Sequence, residues 1–160
     1  MAIRSSMNFQ YIDKLINNCN LVKTIKPKNE FEFQELSNLD QISTAIYIIE
    51  EVSSDYKLTF DNLKEYKDKK ERNCPRLNSP SSILYVGSST TGLKKRINEH
   101  IGDGSKSTYS LQLKHWFKGK YKITIKVYDS NISREIIQLI EDNLSYQLKP
   151  AFGKQGSNNK

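Results

Sequence analysis

Short apolar runs alternate with longer polar ones along the chain, and the spacing inside each run predicts its element. Tyr11, Ile12, Leu15, Ile16 and Val22 recur near helical spacing, so Phe9 to Val22 reads as a short helix. Lys26-Pro27-Lys28-Asn29 breaks it. Phe31 to Leu39 fits either a strand or a turn of helix. Ala45 to Ile49 (Ala-Ile-Tyr-Ile-Ile) is a β-branched and aromatic run, the pattern of a buried strand. Phe60 to Arg72 carries five bases and four acids with sparse apolar positions, and fits an exposed helix or a mobile loop. Cys74 to Ser82, with two prolines and three serines, reads as a loop. Ile83 to Gly87 (Ile-Leu-Tyr-Val-Gly) is the second clear strand. Ser88 to Thr91 supply caps for a helix over Gly92 to Ile101 that stops at Gly102. Tyr109 to Phe117 reads as another helix. In Tyr121 to Tyr128, Tyr121, Ile123, Ile125 and Val127 alternate with Lys122, Thr124 and Lys126, as in a strand buried on one face. Ser130 or Asn131 can cap a long helix through Gln147, after which Pro150 and Gly153 lead into a polar tail, Lys154 to Lys160. The order gives a mixed α/β (α+β) layer with a small sheet. Residues 1–40 form an accessory helical arm and residues 41–160 the main domain.

Composition narrows the function classes. The 160 residues suit about one domain. With 36% hydrophobic and 27% charged residues and a mean hydropathy of -0.67, the chain is polar yet able to fold. No apolar run approaches a membrane span, and Met1 to Gln10 holds no signal-peptide stretch, so the expected compartment is the cytoplasm. Cys19 and Cys74 lack metal or redox spacing, and with His100 and His115 they cannot be arranged as a zinc finger. There is no P-loop, no dinucleotide fingerprint and no nucleophile elbow.

The net charge of +7 points to a polyanion, and its placement sharpens that. Asn29 to Asp55 holds seven acids and no Lys or Arg. Thr91 to Val127 holds nine bases against Glu99 and Asp103, interleaved with Tyr109, Trp116, Phe117 and Tyr121. A basic segment with aromatics suits a groove that tracks phosphates, and equally a solvated basic face over core aromatics. Candidate nucleic-acid contacts are Lys94, Lys95, Lys106, Lys114, Lys118 and Tyr109.

Two strands with a central tyrosine, then an arginine on a helix, then a glutamate on a later helix, make a recognisable order. It resembles the GIY-YIG nuclease family. The first motif stands as Ala45-Ile46-Tyr47 and the second as Tyr85-Val86-Gly87. Gly92 to His100 looks like the family's first-helix motif, with its arginine at Arg96. Glu141 sits where the family has its metal-binding glutamate, and Lys149-Pro150-Ala151-Phe152-Gly153 looks like the terminal segment. The resemblance covers roughly residues 44–157. It departs from the family in three places. Ala45 replaces the first glycine, and residues 51–82 intervene between the tyrosine strands. Gly153 aligns with the usual asparagine, for which Asn158 or Asn159 would have to substitute. Insertions between those strands, and the Arg-x-x-x-His spacing of Arg96 and His100, are features of the family's restriction enzymes. The resemblance implies a small three-stranded, mixed or antiparallel sheet flanked by helices. It also implies that both tyrosine hydroxyls face the active site.

Helical angles add to this. With Leu93 at zero, Ile97 and Ile101 make an apolar stripe, Arg96 and His100 lie beside it, and Lys95, Asn98 and Glu99 point away. Arg96 offers a fork for phosphate oxygens and can neutralise charge on a scissile phosphate. Glu141 borders the stripe of Ile136, Ile137, Ile140, Leu144 and Leu148, where a carboxylate is held firmly while its oxygens face a cleft; oxygen ligands suit Mg²⁺ or Mn²⁺. Tyr47 would help deprotonate the attacking water if its pKa were lowered by Arg96, His100 or a metal. His115 reads as structural.

The expected activity is therefore metal-dependent DNA endonuclease chemistry of a restriction or other defence type, with Tyr47, Tyr85, Arg96, His100 and Glu141 as the site. Repair and mobile-element roles, an inactive nucleic-acid-binding module and an RNA substrate stay open. One site cuts one strand, so a double-strand break needs a homodimer or two events. A membrane partner is not expected.

Overall fold

The structure is a computed structural model and describes residues 6–53 and 55–154. Among these, four strands form one fully antiparallel sheet with five helices around it. The strands are β1 (Asn29–Glu32), β2 (Ala45–Glu51), β3 (Ile83–Ser89) and β4 (Tyr121–Val127), in the order β1-β4-β2-β3. The helices are α1 (Gln10–Val22), α2 (Tyr56–Asp68), α3 (Leu93–Ile101), α4 (Leu113–Trp116) and α5 (Arg134–Leu148).

The apolar runs fold as their spacing requires. β2 is central and buried on both faces, which explains its unbroken apolar sequence. Its odd positions Ala45, Tyr47 and Ile49 join Ile123, Ile125 and Val127 of β4 in one core cluster with Leu93 and Ile97 of α3. Ile46 faces the other way, into a second cluster with Val86, Ile136, Ile137 and Ile140. The sheet is thus sandwiched, with α3 on one face and α5 on the other.

The structure corrects the sequence reading at several elements. The sheet has four strands, because β1 pairs with β4, Asn29 opposite Val127. Part of the arm expected over 1–40 is therefore an edge of the sheet. The ambiguous stretch Phe31 to Leu39 is neither alternative throughout: it ends β1 and then makes a 3-10 turn at Leu36–Leu39. The Phe60 to Arg72 region is a helix, but Thr59, Leu63 and Tyr66 of α2 are buried rather than exposed. The helix expected over Tyr109 to Phe117 shrinks to the single turn of α4, because Gln112 adopts a left-handed backbone (φ 54°) and buries its side chain under the preceding loop. The cap of α5 is Ser133, which accepts from the Ile136 N–H, and not Ser130 or Asn131. None of the residues of α1 is buried, and Tyr11, Ile12 and Ile16 are exposed.

β3 is an edge strand, and what lies along it defines the cleft. The chain after α5 returns beside it: the Ala151 and Phe152 N–H groups donate to the Ile83 and Leu84 carbonyls. The loop leading into β3 clamps that segment, with Asn78 donating to the Pro150, Ala151 and Gly153 carbonyls. The register slips between Ile49 and Glu50, so both Leu84 and Tyr85 serve the first cluster.

Candidate active site

Tyr47 stands opposite Gly87, and Ile49 opposite Tyr85, so the two tyrosines are diagonal neighbours on one face of the β2–β3 pair. Their rings stack nearly parallel at 7°, with centroids 6.2 Å apart. A Cβ on Gly87 would collide with the Tyr47 hydroxyl, so the glycine of the second motif leaves room for the tyrosine of the first.

α3 supplies Arg96 and His100 one turn apart. Burial of Leu93 and Ile97 fixes the helix rotation and turns both toward the tyrosines. The Arg96 guanidinium donates to the Tyr85 hydroxyl (3.1 Å), the Tyr109 carbonyl (3.0 Å) and Glu99 (3.2 Å). Contrary to the angular reading, Glu99 does not point away. It is buried, pairs with Arg96, and also accepts from Thr108 (3.3 Å). The loop after α3 folds back over it, which the helix angles alone do not capture.

His100 has no exposed surface. The Leu111 N–H donates to its Nδ1 (3.1 Å), so the proton of the neutral ring sits on Nε2, which donates to the Tyr47 oxygen (3.0 Å). Burial, seconded by the Arg96 charge, holds the His100 pKa well below the ordinary imidazole value. The ring is a fixed donor to Tyr47. Tyr47 itself is 1% exposed. Burial raises its pKa far above the usual phenol range despite the opposing pull of Arg96. In the free protein Arg96 therefore does not lower it below that of an ordinary phenol. Tyr85 is raised for the same reason, while its ring lines the cleft.

Glu141 reaches the site from α5 on the other side of the sheet, passing the β3 edge. Its pKa is raised, chiefly by burial, against the pull of hydrogen bonds from Ser88 and Gln138. The Gln138 amide donates to both Glu141 and Asp142 at 2.9 Å. Among the described residues no group of three His, Cys, Asp or Glu side chains is placed to hold a metal. One carboxylate beside an open cleft fits a Mg²⁺-type ion, which keeps several waters and takes its remaining ligands from a phosphate. It does not fit a zinc site, which needs three or four protein ligands.

The cleft has a volume of about 660 Å³ and lies between Tyr85, Arg96, Tyr109 and Glu141. Lys67, Arg76 and Lys154 add three cations to its walls. Two of these come from the segment between the tyrosine strands: Lys67 from α2, braced on the Pro75 carbonyl (2.9 Å), and Arg76 from the following loop. The sequence reading missed them, and no periodicity marks them. It also missed Gln138, which stands one turn before Glu141 on the same face of α5, and Glu99.

Of the expected nucleic-acid contacts, Lys95 and Tyr109 border this region. Lys94 is instead paired with Asp40 (2.7 Å) and Lys114 with Asp103 (2.7 Å). Lys106 and Lys118 are exposed and do not line the cleft. His115 is structural, bonded to the Gly102 carbonyl (2.8 Å). Gly153 lines the cleft with a left-handed backbone (φ 104°), and a Cβ there would lie 2.7 Å from the Tyr85 ring. Asn158 and Asn159 lie outside the described residues. Comparison of the chain with protein-family models, curated proteins and solved structures gave no match.

Proposed function

We propose that this protein is a metal-dependent endonuclease of the GIY-YIG type that hydrolyses phosphodiester bonds in DNA, in a restriction or other defence setting. The observation that carries this reading is the convergence of Tyr85, Arg96 and Glu141, from three elements on both faces of the sheet, on one cleft at the β3 edge, with Tyr47 and His100 buried directly behind them. The reading expects a three-stranded sheet; it is supported by the antiparallel neighbours β4-β2-β3, to which β1 adds a fourth strand.

In this reading the scissile phosphate lies on Arg96, whose fork is already oriented by Tyr85, the Tyr109 carbonyl and Glu99. Pre-orientation means that little reorganisation is needed as charge grows on the phosphate. Tyr47 is buried behind Tyr85, and would take the proton of the attacking water once substrate binding opens a path to its hydroxyl. The Nε2–H of His100 already donates to its oxygen, and Arg96 is near enough to interact with it, so both would support a phenolate. Glu141 would hold Mg²⁺ or Mn²⁺. A metal bound there supplies polarisation of the phosphate and support for the leaving oxygen. Lys67, Arg76 and Lys154 would hold flanking phosphates. A binding module without cleavage is favoured by one feature, the missing side chain at Gly153.

The test is plasmid cleavage with Mg²⁺ or Mn²⁺ and a chelator control. Wild type is expected to cut, Arg96→Ala to lose cutting, and Glu141→Gln to lose cutting while still binding DNA. Salt-sensitive binding without cutting under any metal would move the reading to the binding module. Full-rate cutting by Glu141→Gln would remove that residue as the metal ligand.

A further inference from the structure

The cleft continues past Arg96 and Glu141 into a second lobe of about 370 Å³ whose chemistry differs from that of the first. The first lobe offers flat and apolar surfaces, from Tyr85, Tyr109, Val86 and Pro75, against which a nucleoside can rest. The second shares Arg96, Gln138 and Glu141, and its further wall is the hydroxyl run Ser88 to Thr91 with Lys95 and Arg134. Among the described residues no aromatic or aliphatic side chain lines it. A base would find nothing there to stack on, whereas a phosphate would find hydroxyl donors and two exposed cations from different helices. The carboxylate of Glu99, which also borders it, is paired with Arg96, and that of Glu141 accepts from Gln138.

We propose that the second lobe seats the phosphate next to the one being cut, held by Lys95 and Arg134 with Thr90 and Thr91. It follows that the substrate is a strand with at least two consecutive phosphates rather than a lone phosphodiester. This rests on the reading in which a nucleic-acid phosphate lies on Arg96. It assigns Arg134, which no motif marks, a role in substrate binding. It also separates Lys95 from its neighbour Lys94, which is held by Asp40.

The experiment is anisotropy of a labelled single-stranded oligonucleotide about a dozen residues long, with chelator present so that nothing is cut. Arg134→Ala and Lys95→Ala are each expected to weaken binding about five- to twentyfold, and to reduce the slope of log affinity against log salt by about 0.7. Arg134→Lys should recover much of that loss. Lys23→Ala removes a charge from a separate groove beside α1 and α5 and is expected to change affinity less than about twofold. Arg134 is exposed at the start of α5, so its loss should leave the melting temperature close to wild type. Wild-type affinity and salt slope in Arg134→Ala, with Arg96→Ala still weakened, would overturn the second seat and leave the nuclease reading standing. Unchanged binding in Arg96→Ala as well would remove the underlying reading, and this proposal with it.

Discussion

His100 is the residue whose environment leaves the clearest thermodynamic mark. In the unfolded chain its imidazole takes up a proton near pH 6.5, but in the folded protein burial and Arg96 keep it neutral to well below that. The stability that this contributes is fully present above the unfolded value and is lost as pH falls below it, by up to about 1.4 kcal/mol per pH unit. Glu141 acts in the opposite sense. Its raised pKa favours the protonated folded form, so its contribution is lost as pH rises from the ordinary carboxylate range through the raised value. Urea titrations of wild type and His100→Gln between about pH 7 and pH 5 separate the two. The midpoint of wild type is expected to fall more steeply with acid than that of the variant. An equal fall would place the acid sensitivity elsewhere. Gly153 carries a second prediction at this scale. Its positive φ and its contact with the Tyr85 ring leave no space for a side chain. Gly153→Asn should therefore cost about 1–3 kcal/mol, read as a lowered melting temperature. Unchanged stability would show that Tyr85 moves aside at little cost.

Elements were legible where one physical signal dominated. β2 and β4 follow from runs of two-sided and alternating burial, and α3 from its stripe and from Gly102 at its end. Tyr47, Tyr85, Arg96, His100 and Glu141, on β2, β3, α3 and α5, are singled out by the resemblance of their motifs to the GIY-YIG family, and not by burial pattern alone. What could not be read was the loop chemistry. Nothing periodic in residues 103–112 announces that Gln112 will be fully buried, accepting from Arg72 (2.7 Å) and donating to the carbonyls of Asn73, Ser105 and Thr108. This amide ties the chain after α2 to the loop that carries the Tyr109 carbonyl, an acceptor for Arg96. Gln112→Ala should cost roughly 3 kcal/mol in a denaturant titration, because each buried partner left unpaired costs about 1–3 kcal/mol. A loss within about 0.5 kcal/mol would mean that water replaces the amide without penalty. β1 escaped the reading for a different reason. A four-residue edge strand with three exposed positions has too little alternation to be distinguished from a loop.

At the scale of the molecule, the basic excess that sequence places in residues 91–127 is redistributed by folding. Lys94, Lys114 and Lys126 are spent on Asp40, Asp103 and Glu30, while Lys67, Arg76, Arg134 and Lys154, all from outside that stretch, come to the cleft. Exposed pairs of this kind contribute little to stability, but they remove positive charge from where it would repel neighbouring bases. Among the described residues no helix is long and apolar enough to cross a membrane. Binding to nucleic acid should weaken more than about tenfold between roughly 50 and 200 mM salt, the response expected when two or more phosphates displace counterions. A flat response would count against any phosphate-tracking role. Running the same titration with matched DNA and RNA strands in competition decides which polymer the cleft prefers.

The clasp between Arg72, Asn73 and Gln112 bears on how such a protein can change over time. Arg72 and Asn73 also donate to the Gly104 carbonyl (2.5 Å) and to the Lys106 and Ser107 carbonyls. The stretch between the tyrosine strands looks dispensable in one dimension, since a short hairpin could join β2 to β3. In three dimensions its removal would strand Gln112, free the loop that steers Arg96 and strip Lys67 and Arg76 from the cleft wall. A minimal version of this protein cannot be reached by trimming. Shortening that segment would require Gln112 and the loop before it to be rebuilt in the same step, and the two are expected to vary together or not at all.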